Sequence, residues 1–364
     1  MRKDKKMILF VCIIFLLALS QIELNLNDFY DDYASAKSAA PIKGIFVLLI
    51  FASHFSQYVV LEGSWNDAYL SFRSFCGQLV VVPFLFYSGY GVAASIRARG
   101  ETYYQAIPVH RVGQTLFQFD MAILLFFVLR CILYPIQEPF SFWDWIMRLI
   151  GWESIGNSNW YVFVILGLYL ITWVSFSVFG MQKKLAALFG IALLTIYFAF
   201  FLGIYKEDYW YNTILTYVLG IFFAFGKESI DYYLFGKNRI WIFVEGSLLC
   251  GFLLFHRIWW DHTVYYQLAS GLFALFLAFT LLKVKVTSRV LTYCGEHIFS
   301  LFILQRLPMM ALEERIVRGD RYLPLYFILC LVITFLISAI FDSVVPVLWK
   351  QIEHIIMKNS ERVQ

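Results

Sequence analysis

A chain of 364 residues that is 61% hydrophobic and 15% charged, with a mean hydropathy of +0.70, is too apolar for a soluble domain, where about a quarter of residues are charged. The formal net charge is +4 and no basic patch or nucleic-acid motif stands out, so a nucleic-acid partner is excluded and the lipid bilayer is the first partner to expect. The six cysteines are scattered without CxxC or Cys/His spacing, so neither a bound metal nor a redox role is expected.

The first apolar run, Met7–Ile22, follows M-R-K-D-K-K and lacks a small-residue cleavage site, which predicts a retained helix. With the polar stretch Glu23–Ala39 it makes an N-terminal unit, residues 1–39. Ten apolar segments follow: Ala40–Leu61, Gly77–Ile96, Gly113–Pro135, Trp160–Phe179, Leu185–Ile204, Tyr211–Gly226, Ile240–Phe255, Thr263–Leu282, His297–Leu312 and Tyr322–Trp349. The expected fold is therefore all-α and polytopic, with about ten core transmembrane helices in residues 40–349, one N-terminal hydrophobic helix, and a tail over residues 350–364. Alternate loops carry fourteen cations, from Arg97 to Arg362, against seven, from Arg73 to Arg321, in the other set. The positive-inside rule makes the richer set cytoplasmic, together with Lys43 and the C-terminus. One conflict remains. If Met7–Ile22 also crosses, its basic leader lies outside, so the run either lies along the cytoplasmic interface or breaks the rule.

Ala40–Leu61 carries one cation, Lys43, and one histidine, His54, eleven positions apart. That is close to three helical turns, so both side chains share a face, roughly 16 Å apart along the axis. His54 then falls near mid-depth, where an ionisable group is costly and points to function, although a histidine bonded to a neighbouring helix is the plainer reading. Imidazole suits proton transfer near neutral pH. On the next segment Ser88, Gly89, Gly91, Ala93, Ala94 and Ser95 cluster, which fits either close helix packing or room for a ligand beside His54. Arg97, Arg99 and Arg111 form a basic rim on the Lys43 side, explained by loop topology or by a polyanion such as a nucleotide phosphate. Asn159 and Trp160 read as a helix N-cap and an interfacial aromatic. Asp120, Glu245 and Asp342 lie in apolar segments, where one of them orients a catalytic group or pairs with a cation such as Arg130 or Arg306. His256 to His262, with two tryptophans between them, fit sugar contacts or interfacial anchoring equally well.

These residues together resemble the membrane-bound acyltransferase-3 family, which includes bacterial O-acetyltransferases of O-antigen, capsule and exopolysaccharide. The family's cation, ten intervening residues and histidine are similar to Lys43 and His54, and its Phe-Phe-x-x-Ser-Gly-Phe-like stretch to F-L-F-Y-S-G-Y at Phe84–Tyr90. H-R-V-G-Q at His110–Gln114 resembles its arginine-rich segment, Trp160–Phe163 its Trp-Phe-Leu element, and Glu296–Arg306 its closing Ser-Tyr-x-x-Tyr-x-x-His-like pattern. Two positions depart: Gln114 stands for a second arginine and Gln305 for the terminal histidine, so Gln305 is not assigned catalysis.

The resemblance implies an integral membrane enzyme of the bacterial inner membrane, moving an acyl group, usually acetyl, from cytoplasmic acetyl-CoA or another acyl-CoA to a hydroxyl of an envelope glycan or its lipid-linked precursor. Lys43, Arg97, Arg99 and Arg111 would hold the CoA phosphates, the thioester arm would pass Ser88, and His54 would be general base or acyl carrier. The rival reading is a glycan or lipid transporter with His54 as a proton relay. The sequence leaves the acceptor, the acyl chain and the oligomeric state open.

Overall fold

The computed structural model describes residues 7–134, 140–258, 262–316 and 323–361. Nine helices among the described residues are long and apolar enough to cross a membrane. They are α2 (Ala36–Phe55), α3–α4 (Ser64–Cys76 and Val82–Arg99, joined by a 3₁₀ turn), α5–α6 (Glu101–Ile107 and Gln114–Leu133, joined by a π turn over Pro108–Gly113), α8 (Trp160–Phe179), α9 (Lys184–Tyr205), α10 (Leu215–Leu234), α11 (Asn238–Ile258), α12 (Thr263–Thr280) and α16 (Leu323–Glu361). Two short helices, α1 (Met7–Leu19) and α7 (Phe142–Leu149), complete the set outside the last third of the chain. The protein is an all-α, multi-pass membrane protein.

The predicted segment His297–Leu312 is not one helix. The chain crosses there in three pieces, α13 (Arg289–Glu296), α14 (Ile298–Leu304) and α15 (Arg306–Ile316), with breaks at His297 and Gln305. Pro308 accounts for the second break: a proline ring collides with the carbonyl four residues back, here that of Leu304, and is tolerated only in the first turn of a new helix. Backbone that leaves the helical ladder inside a bilayer must be covered by protein. The broken stretch is so covered, since α13 packs on α2 and α14 packs on α2 and α16. The predicted boundaries shift as well. Helix α2 begins at Ala36, capped by Ser35 Oγ accepting from Ser38 N–H at 3.1 Å, which leaves Pro41 inside the helix. Helix α16 runs through to Glu361 without a break at Trp349.

The N-terminal run lies beside the bundle, not along its surface. The Met7 N–H reaches Asn66 Oδ1 at 3.4 Å, beside the start of α3, while Ile22–Leu24 (β1) pairs antiparallel with Val284–Val286 (β2). Helix α1 therefore runs from the Asn66 side towards the Lys43 end, packed on α2 and α3, and its 13 residues make it shorter than any of the nine candidate spans. At the Lys43 end the acidic linker meets the loop cations: Lys285 pairs with Asp32 at 3.2 Å, and Lys283 donates to the Asp28 carbonyl at 2.7 Å over the Phe29 ring.

Two crossings set the interior. A Cβ on Gly44 of α2 would lie 1.9 Å from the Leu291 carbonyl oxygen, and one on Gly295 of α13 would lie 1.8 Å from that of Ala40. The α4–α10 crossing repeats the device, with Gly89 2.0 Å from Tyr217 O and Gly220 2.0 Å from Phe86 O by the same construction. In lipid, where no hydrophobic force drives helices together, such backbone approach is the main source of association. These contacts lock α2 to the broken helix and α4 to α10.

Candidate active site

Between α2, α4, the π turn, α6, α8 and α14 lies a cavity of about 350 Å³. Its polar lining includes Lys43, Ser88, His110, Arg111, Gln114 and Gln118, with Thr115 and the tyrosines Tyr87, Tyr161 and Tyr169. Sequence logic explains the shape. Gly89 is consumed by the α10 crossing, whereas a Cβ on Gly91 would meet nothing within 4 Å, and Gly91 lines the cavity. The small-residue cluster therefore serves packing and open space at once, two positions apart. Pro108 begins the π turn, a type of distortion found often at functional sites, and the turn presents both His110 and Arg111 to the cavity.

Arg111 is oriented by donating from Nε to Tyr103 Oη at 2.9 Å. Its neighbour His110 meets Glu353 of α16, with Nδ1 2.5 Å from Oε1. Of the predicted cations, Lys43 and Arg111 thus share one cavity. Arg97 and Arg99 do not line it: Arg97 pairs with Glu228, and the Arg99 guanidinium stacks on Tyr103 at 4.3 Å from the ring centre. All three arginines of the basic rim have side-chain partners at that end, Glu228 for Arg97 and Tyr103 for both Arg99 and Arg111, and only Arg111 also faces the cavity.

His54 sits beyond the wall formed by Phe302, whose ring centre lies 6.2 Å from the imidazole and 5.6 Å from the Tyr161 ring. His54 is not itself among the lining residues. Its Nε2 lies 3.5 Å from Ser158 Oγ, and Nδ1 is buried with no hydrogen-bond partner among the described residues. Arg306, the first residue after the Gln305 break, donates to Ser158 Oγ from Nε at 2.9 Å, to Gln57 Oε1 at 2.6 Å and to Tyr58 Oη at 3.4 Å. Burial raises the Tyr58 phenol above its ordinary value, and Arg306 opposes the shift. The result is a polar cluster of imidazole, hydroxyl and guanidinium at the end of the bundle opposite Lys43.

Several sequence readings change in detail. Asn159 occupies the N-cap position of α8 without capping it, because its side chain donates instead to the Gly151 carbonyl at 2.7 Å. That bond closes the loop that delivers Ser158. Asp342 pairs with neither Arg130 nor Arg306. It accepts from His297 Nδ1 at 2.6 Å and from Ser300 Oγ at 2.7 Å, tying the first break to α16. Glu245 accepts from Thr280 Oγ1 at 2.5 Å. His256 faces the Phe75 carbonyl, with Nε2 2.8 Å away, whereas Trp259, Trp260 and Asp261 fall outside the described residues. Gln305 is fully buried and turns back to donate to the Phe302 carbonyl at 3.0 Å. Among the described residues no group of three or more His, Cys, Asp or Glu is placed to hold a metal ion.

The acyltransferase-3 family model, described as an acyltransferase domain, matches residues 42–342. That range runs from the Lys43 helix through Asp342 and includes all the residues lining the cavity and all those of the His54 cluster. The curated proteins and the solved structures compared with the chain include no match.

Proposed function

Because the chain belongs to the acyltransferase-3 family, we infer that it is an O-acyltransferase of the bacterial inner membrane, an O-acetyltransferase in the first instance. In this reading it takes the acyl group from cytoplasmic acyl-CoA and passes it to a hydroxyl of an envelope polysaccharide or its lipid-linked precursor. The observation that carries the reading is the layout of one internal site: two cations, Lys43 and Arg111, in a cavity whose Phe302 wall backs onto His54. The excess of loop cations at the Lys43 end makes that end, and the C-terminus with it, cytoplasmic.

The residues present fit the donor's chemistry. Lys43 and Arg111 offer charge and directed N–H groups for phosphate, with His110 beside them. A cavity of about 350 Å³ suits the donor's thioester arm more than its whole bulk, so the nucleotide end remains at the basic mouth, near Arg97 and Arg99. Ser88 lines the path, and His54 serves as general base for the acceptor hydroxyl or as transient acyl carrier.

The test is chemical. His54→Ala is expected to remain folded in the membrane while the acyl content of the surface glycan falls by at least about a hundredfold. Unchanged acylation defeats the proposal. Lys43→Ala and Arg111→Ala are expected to weaken acyl-CoA binding, and to weaken binding of a donor analogue without phosphates much less. Equal losses for both analogues remove the phosphate assignment.

A further inference from the structure

The hydroxyl of Ser158 occupies the place on His54 where an acceptor hydroxyl would have to bind. Ser158 is buried, 6% exposed, and reaches His54 Nε2 at 3.5 Å from a different part of the chain, 104 positions away. Arg306 Nε–H already donates into Ser158 Oγ at 2.9 Å, and with His54 as the Nδ1–H tautomer the serine's own proton is free to point at the Nε2 lone pair. A hydroxyl donating to an imidazole is the arrangement of an activated nucleophile and its base, and such contacts are often long before substrate binds. The guanidinium adds the third element, since a cation held against Oγ favours the oxygen as its proton departs. The loop that presents Ser158 is fixed by Asn159 donating to Gly151 O and by Asn157 Oδ1 accepting from Ile155 N–H at 3.0 Å, so the hydroxyl is held in place.

We propose that Ser158 is the acyl carrier of this enzyme, with His54 as its general base and Arg306 as the residue that orients and charges the hydroxyl. This rests on the acyltransfer reading above and resolves the choice left open there, because His54 then moves protons and is not itself acylated. In the first half-reaction Ser158 Oγ bonds to the acyl carbon as the donor's carbon–sulfur bond breaks. His54 Nε2 takes the serine proton and returns it to the departing thiolate. In the second, the acceptor's oxygen attacks the ester carbon, its proton passes to Nε2, and Ser158 Oγ leaves and recovers that proton. Two half-reactions suit a donor and an acceptor that approach from opposite ends of the bundle, since the two need never meet. Phe302, between the cavity and His54, has to yield for the thioester to reach Ser158.

The experiment uses the full chain in membranes, acetyl-CoA labelled in the acetyl group, an acid quench and peptide mass spectrometry. Wild-type protein is expected to carry the label as a hydroxylamine-sensitive ester on the peptide containing Ser158. Ser158→Ala is expected to lose both that label and transfer to the glycan by at least about a hundredfold. Ser158→Cys keeps a nucleophile in the same space, and is expected to take up label as a thioester cleaved by hydroxylamine at neutral pH. That signature is not produced by a serine that only packs. His54→Ala should also lose the label. Label on His54, or a folded Ser158→Ala protein that transfers at the wild-type rate, overturns the carrier while leaving the acyltransferase intact. A folded wild-type protein that neither takes up label nor transfers it overturns both.

Discussion

Helices α2 and α9 invert the arrangement of a soluble protein. Over its most apolar stretch α9 is only 22% buried by other protein, whereas the corresponding stretch of α2 is 72% buried, and α2 is the less apolar of the two. In water the most apolar helix would be innermost. In lipid the tails already accept Leu193, Phe200 and Ile204, and protein contact is reserved for the helix with polar or ionisable groups that hydrocarbon rejects. Lys43 and His54 are therefore inside because they are polar, and Gly44 is inside because it lets α13 approach. The lesson is that apolarity identifies membrane helices, while departures from it identify the ones that matter.

Substitutions at the inner crossings should break this contrast most strongly. Gly89→Val has to displace the Tyr217 carbonyl, and a loss of about 3 kcal/mol or more is expected, read as a lower unfolding temperature or loss of the monodisperse protein in detergent. A fully stable variant would show that α4 and α10 are not packed backbone to backbone. Asp342→Ala removes the acceptor shared by His297 and Ser300, with an expected cost of about 1–3 kcal/mol by the same assay; no change would mean that the first break is held by packing alone. Gly91→Val sharpens the comparison within one helix. Nothing lies within 4 Å of a Cβ there and the position faces the cavity, so stability should hold while donor binding weakens roughly tenfold as the cavity fills. If stability falls instead, Gly91 belongs to the packing like Gly89. Phe189→Ala on α9, where the side chain is 69% exposed to the surroundings, is expected to stay within about 0.5 kcal/mol of the parent. A large loss there would reveal a protein partner in place of lipid.

Part of the candidate site is legible along the chain because one helix carries both Lys43 and His54. Lys43 and His54 share a face at 3.6 residues per turn, and the tertiary structure keeps both inside. Reading Gly89 and Gly91 as one cluster hides that they point different ways, one into α10 and one into the cavity. Of the four cations assigned to the phosphates, Arg97 and Arg99 lie outside the cavity because each is engaged elsewhere: Glu228 arrives with α10, and Tyr103 lies four residues after Arg99. The break at Gln305 has a visible cause in Pro308, yet hydropathy over His297–Leu312 masks it. Ser158 and Arg306 could not be joined to His54 from spacing, since 104 and 252 positions separate them from it.

By itself the sequence determines that this chain lives in a bilayer, that it is helical, and that its polar minority includes a cation and an imidazole in register. Those facts follow from local periods and transfer energies, which depend on neighbours along the chain. The tertiary structure alone decides which cations line the cavity and which hydroxyl meets the imidazole. Both depend on elements far apart in sequence brought together by packing, and two of the crossings that frame the interior are ones that only glycine permits.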